Sequence, residues 1–246
     1  MLVVGDIHGN YSKAKCFLNY KPEEQHCFVG DYTDSFKATN DEIIQTMKMI
    51  FESDAITLSG NHDNQYFTNS NYKMKCTGYR DEAYGFVHIM EMYKDKILGS
   101  CISDGFIITH GGITKSLTKT LGIDNIEDMN EYINFEFNQF KNSVVKQDVL
   151  SNIFNIGSCR GGSNQYSGIF WADYRYENFD KSFNQIFGHS HTSEPKMIYQ
   201  GKSDRRVLHV CVDCPQYFCF NTKTKQIEDF FPEEFKKTRH MMEVIF

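Results

Sequence analysis

The segment "LVVGDIHGN", residues 2–10, joins a short apolar run to a polar Gly-Asp-x-His-Gly turn. A few consecutive β-branched or aromatic residues bounded by turn signals read as a buried strand. The same arrangement recurs in "CFVGDYTD" (27–34), "AITLSGNHD" (55–63), "FIITHGG" (106–112) and "QIFGHSH" (185–191). In each, a strand-like run is followed by glycine beside Asp, Asn or His.

Helical patterns separate the first runs. After Asn10, an N-cap residue type, Ala14, Phe17 and Leu18 fall at i, i+3 and i+4. Thr39 to Glu42 form a capping-box sequence, and Ile43, Ile44, Met47, Ile50 and Phe51 then share one helix face. Strand, helix, strand, helix, strand implies right-handed crossovers and a parallel sheet core. Loops at the carboxyl ends of such strands converge on one crevice. No repeat or Pro/Ser-rich linker interrupts the chain, so one domain over 1–246 is expected. Stretches 64–105 and 111–184 read as insertions walling the crevice. "RVLHVCVD" (206–213), "QYFCFNT" (216–222) and "QIEDFF" (226–231) suggest a closing antiparallel meander.

Composition narrows the partners. The chain has 246 residues, 40% of them hydrophobic, with a net charge of −6 and a globular balance. That charge argues against a broad nucleic-acid surface, and no apolar run approaches the ~18 residues of a membrane span. Eight cysteines sit mostly in apolar runs, and Met1 opens straight into a strand-like segment. Reduced thiols in a cytoplasmic setting are therefore expected. Cys211 and Cys214 are spaced as a zinc pair, but a structural zinc site needs a second pair.

The five turns together offer Asp6, His8, Asp31, Asn61, His110, His189 and His191. These oxygen and imidazole donors suit manganese, iron or zinc. They exceed what one ion needs, and two ions sharing a carboxylate would use them all.

The ordered set "GDIHG", "GDYTD", "GNHD", "HGG", "GHSH" resembles the calcineurin-like metallophosphoesterase superfamily, within it the phosphoprotein phosphatase branch. The resemblance implies an α/β fold, a mixed β-sandwich flanked by helices, with two divalent metals at the strand C-terminal ends. Manganese is the expected metal, with iron or zinc sharing the same ligands. Asp6 and His8 would hold the first metal, Asp31 would bridge, and Asn61, His110 and His189 would hold the second. His191 matches the histidine that completes the first site in the wider superfamily. His62 would be the general acid, oriented by Asp34, while a water between the metals attacks phosphorus.

Two positions depart from the branch: Ser35 and Ser59 stand where relatives carry phosphate-gripping arginines. Arg160 and Arg175, in "SCRGGSNQYSGIFWADYR", are the replacement candidates. The expected activity is serine/threonine phosphoprotein hydrolysis. The alternatives are dinucleoside polyphosphates, cyclic nucleotides or nucleic-acid phosphate ends, and a metal-binding scaffold without turnover. His26, His88, His209 and His240 fall outside the motifs and are assigned to core or surface.

Overall fold

The computed structural model describes residues 1–35, 37–68, 70, 74–80, 83–143, 150–201 and 206–232. The five apolar runs are strands: β1 (Leu2–Val4), β2 (His26–Phe28), β3 (Ile56–Leu58), β6 (Phe106–Thr109) and β7 (Asn184–Phe187). They do not form the single parallel sheet that the strand–helix order alone suggests. The first sheet runs β11-β10-β1-β2-β3-β4 and the second β5-β6-β7-β9-β8. Here β4 is Ile97–Leu98, β5 Ser100–Ser103, β8 Lys196–Gln200, β9 Val207–Cys211, β10 Phe218–Asn221 and β11 Gln226–Asp229. The result is a mixed sandwich, as the resemblance implied.

The chain changes sheets within the first proposed insertion. Only Gly99 separates β4, the edge of one sheet, from β5, the edge of the other. A Cβ there would lie 2.9 Å from Ile133 Cγ2, so the crossing presses against the neighbouring helix. Strands this short carry too little periodicity to be read from sequence.

The expected C-terminal meander is likewise split. β9 pairs parallel with β7 and antiparallel with β8, whereas the β10–β11 hairpin extends the first sheet beside β1. Four of the five residues of "VLHVC" are buried, which suits a strand with neighbours on both edges rather than a closing one.

Alternation along the strands builds two cores. Val3, Cys27 and Leu58 from the first sheet pack with Phe106, Ile108, Ile186 and Val210 from the second, filling the sandwich. Leu2, Val4 and Phe28 point the other way, onto α1 (Tyr11–Asn19) and α2 (Asn40–Glu52). The Asn10 side chain caps α1 through the Lys13 amide at 3.0 Å. Thr39 and Glu42 complete the anticipated box on α2, with Thr39 N–H donating to Glu42 at 2.7 Å. Ile43, Met47, Ile50 and Phe51 are the buried face, each contributing about 1.5–3 kcal/mol. That packing holds the loops after β1 and β2 in place.

The remaining helices are α3 (Asn61–Asn64), α4 (Tyr84–Tyr93), α5 (Lys115–Leu121) and α6 (Ile126–Asn142). His26 and His209 are buried in the core and His88 is exposed, as expected; His240 lies outside the described residues. No helix among the described residues is long and apolar enough to cross a membrane.

Candidate active site

Parallel pairing of β1, β2 and β3 delivers their loops to one edge, and the parallel pair β6 and β7 delivers theirs from the second sheet. Main-chain bonds stitch the loops together. His8 N–H donates to Asp31 O at 2.7 Å, Gly9 N–H to Tyr32 O at 3.0 Å, and Gly188 N–H to His110 O at 2.7 Å. Contacts between sheets close the ring: His189 N–H donates to the Asp6 carboxylate at 3.2 Å, and His110 Nδ1–H to Val29 O at 2.9 Å.

The turns are tight enough to force unusual backbone. His8, Asp31, Asp34 and His189 adopt φ of 45°, 52°, 56° and 60°, a region non-glycine residues occupy at a cost. Gly30, at φ 111°, shows the crowding, since a Cβ there would come within 2.4 Å of Gly60 N. Four of the nine metal-ligand and acid-pair candidates named from sequence thus sit on strained backbone. Such strain concentrates at functional sites.

Asp31 lies at the centre. Its Oδ2 is 3.7 Å from His8 Nε2 and 3.5 Å from His110 Nε2, and its Oδ1 accepts the His62 amide at 3.0 Å. Burial opposes its charge, yet His110, His62 and His8 around it prevail and hold the carboxyl well below the usual carboxylate range. Asp6 is pushed the other way, mainly by burial.

The donor set fits divalent metal. His8 and His110 each spend Nδ1 on a backbone carbonyl, Thr33 O and Val29 O, so their Nε2 lone pairs face Asp31. His110 Nε2 also meets Asn61 Oδ1 at 2.9 Å, two acceptors that a cation would reconcile. His189 Nε2 is buried without a partner, and burial drives its pKa well below the usual value, leaving a neutral ligand nitrogen. Two groups of donors lie within 4.8 Å of one another, His8–Asp31–His62 and Asp31–His110–His189, sharing Asp31.

Beside this cluster His62 Nδ1 meets Asp34 Oδ2 at 2.9 Å, the pairing read from sequence. Burial lowers the His62 pKa, but the Asp31 charge and the Asp34 hydrogen bond dominate and push it up to about 12. Dications seated nearby would bring that value down. Asp34 is itself held by Tyr66 Oη–H at 2.5 Å and by the Gln65 amide.

His191 stands apart from the two groups, its ring 69% exposed and 3.9 Å from Asp213. The arginines share one buried acid. Arg175 forms two bonds to Asp173, at 2.9 and 2.7 Å, and Arg160 reaches Asp173 at 2.8 Å and His189 O at 3.3 Å. Arg175 is committed to that carboxylate, while Arg160 borders a cavity of about 880 Å³ with Trp171, Phe154, Met74 and Cys76. A second cleft, of about 750 Å³, is lined by Asp6, His8, Asp34, His62 and His191.

Sequence reading missed Asp63, Lys13 and Asp173. Asp63 accepts the amides of Tyr32, Thr33 and Gly60 and so moulds the Asp31 turn; its place three residues into α3 was the available signal. Lys13, buried in α1, donates to Asp6 O at 3.1 Å and Cys214 O at 2.8 Å, clamping the first loop. Lys13→Met is expected to lower stability by about 1.5–3 kcal/mol through these charged hydrogen bonds and to weaken metal binding. Thermal melting with and without chelator would show it, and an unchanged melt in both would refute the clamp.

Residues 1–193 match the family model for calcineurin-like phosphoesterases. The chain belongs to that family, and is accordingly a metal-dependent phosphoester hydrolase. It is similar in structure to a point mutant of a cold-active protein tyrosine phosphatase, with TM-score 0.53 at 14% identity, covering 94% of this chain and 80% of that one. The corresponding enzyme of a psychrophilic Shewanella species gives TM-score 0.50, also at 14% identity and with the same coverage, 94% and 80%. A protein serine/threonine phosphatase from Saccharomyces cerevisiae gives TM-score 0.42 at 14% identity, over 88% of this chain and 67% of the other. No curated protein sequence matches significantly.

Proposed function

We propose that the chain is a serine/threonine-type phosphoprotein phosphatase with a manganese centre. The carrying observation is that Asp31 belongs to both donor groups while the His62–Asp34 pair stands against it. Asp6, His8 and Asp31 would hold one ion, and Asp31, Asn61, His110 and His189 the other; His191, exposed in the cleft that Asp6 and His8 also line, is the further candidate for the first. When bound, two dications would neutralise the phosphoryl oxygens and acidify a water for attack. Asp34, fixed by Tyr66, orients His62, and His62 gives its proton to the leaving alkoxide.

Both proposed insertions contribute to the cavity of about 880 Å³, through Met74 and Cys76 on one and Phe154, Arg160 and Trp171 on the other. A wall that wide suits a polypeptide bearing a phosphorylated side chain. Arg160 is the substrate-facing guanidinium in this reading, so Arg160→Gln is expected to lower kcat/KM by about 10–100-fold, chiefly through KM. Arg175→Gln should change it less than Arg160→Gln does. Equal effects of the two on steady-state kinetics would overturn the assignment. Eight free cysteines, including Cys27 and Cys101, whose sulfurs share a hydrogen bond at 3.8 Å and no disulfide, support a reducing cytoplasmic setting.

The deciding experiment loads purified protein with manganese and measures phosphate release from phosphoserine, phosphothreonine and phosphotyrosine peptides, dinucleoside polyphosphates and cyclic nucleotides. Fastest turnover of phosphoserine or phosphothreonine peptides is expected. Faster turnover of a nucleotide or of phosphotyrosine would replace the substrate class, and metal binding without any turnover would favour a scaffold.

A further inference from the structure

One residue beside the acid pair belongs to none of the five motifs. Cys76 lies on the segment after α3, half buried, and its sulfur accepts the Asn61 amide at 3.6 Å. One donor atom each from Asp34, His62 and Cys76 lie within 4.8 Å of one another, a third group of ligand type beside the two centred on Asp31.

We propose that Asp34, His62 and Cys76 form a separate, inhibitory site for a thiophilic divalent cation, zinc in the first place. The His62 Nδ1 to Asp34 Oδ2 distance of 2.9 Å is that of a shared proton, and a cation can take the proton's place there. Cys76 then supplies the soft ligand that the oxygen and imidazole donors around Asp31 lack, which selects zinc over manganese. Three protein ligands and a water complete a four-coordinate zinc site.

The group is built rather than accidental. Gln65 links its two ends: the side-chain oxygen accepts the Cys76 amide at 2.9 Å, and the side-chain amide donates to Asp34. Tyr66 holds the second Asp34 oxygen at 2.5 Å, so the carboxylate is aimed before any ion arrives. Cys76 also lines the cavity of about 880 Å³, which opens a path for the ion. Carboxylate and thiolate bring two negative charges to the incoming dication. Binding releases the thiol proton and the proton shared by His62 and Asp34 to solvent.

The consequence for turnover rests on the proposed role of His62: a ring coordinated through Nδ1 cannot become the imidazolium, and its remaining Nε2–H is too weak an acid to protonate the leaving group. The binding itself does not rest on it. The test titrates zinc into the manganese-loaded protein and into Cys76→Ser, Cys76→Ala and Cys159→Ser, following hydrolysis of a phosphoserine peptide, whose leaving group needs the proton. Half-inhibition of the two Cys76 variants should require at least about tenfold more zinc than the parent and Cys159→Ser. Cobalt offered in place of zinc should give a thiolate charge-transfer absorption in the parent and Cys159→Ser, absent from both Cys76 variants. Equal zinc sensitivity, or a cobalt band that survives loss of Cys76, would overturn the site. If no substrate is turned over at all, the proposed function fails, and the cobalt band still decides this one.

Discussion

Asp31→Asn is expected to cut kcat/KM by at least about 10³-fold and to lower bound manganese from about two ions per chain to one or fewer. The substitution keeps the shape of the side chain. Its amide oxygen can still accept the His62 N–H, now made by Oδ1 at 3.0 Å, so the turn is retained. What changes is the atom facing His8 and His110 at 3.7 and 3.5 Å: an anionic oxygen becomes an NH₂ donor. Two ions then lose the one carboxylate shared by both donor groups. Metal analysis and steady-state kinetics on the folded variant read the two effects separately. Retention of both ions with activity within about tenfold of the parent would remove Asp31 from the centre of the site.

The second large effect is expected at His62. His62→Asn should lower kcat by about 10²–10⁴-fold on a phosphoserine peptide, with KM and metal content unchanged. On nitrophenyl phosphate the loss should be much smaller, because that leaving group departs without a proton. Asp34→Asn should follow the same pattern at lower amplitude, since it removes the orientation of the ring and leaves the imidazole in place. Equal losses on the two substrates would show that His62 contacts phosphate without transferring a proton. Loss of an ion in His62→Asn would make it a ligand, as its place in the His8–Asp31–His62 group allows.

Much of the centre was legible because each signal is local. A strand, its terminal glycine and its polar turn fit within about ten residues, and so does a capping box. Asp6, His8, Asp31, Asn61, His110 and His189 could therefore be named singly from five short stretches. The His62–Asp34 pair, 28 residues apart, followed from the resemblance, and the structure places the two in contact.

What sequence could not carry is where chains of unrelated local pattern meet. The strand runs could not show that three turns come from one sheet and two from the other, because sheet membership depends on partners and not on the run itself. Gly99, where the chain changes sheets, looks like any loop glycine until Ile133 is seen against it. The arginines were candidates as charges. Only packing showed both drawn to Asp173, itself 1% exposed, with Arg175 committed there and Arg160 left beside the cavity.

Sequence by itself thus determined the donor types available at the strand ends: carboxylates, an amide and imidazoles of metal-ligating kind, with His62 beside them as the candidate acid. Tertiary structure decided their company. It turned His191 toward solvent, brought Cys76 against His62, and clamped the Asp6 loop with Lys13. Residue type and local spacing select a backbone turn, whereas the distance between two turns is set by the strands and helices packed beneath them.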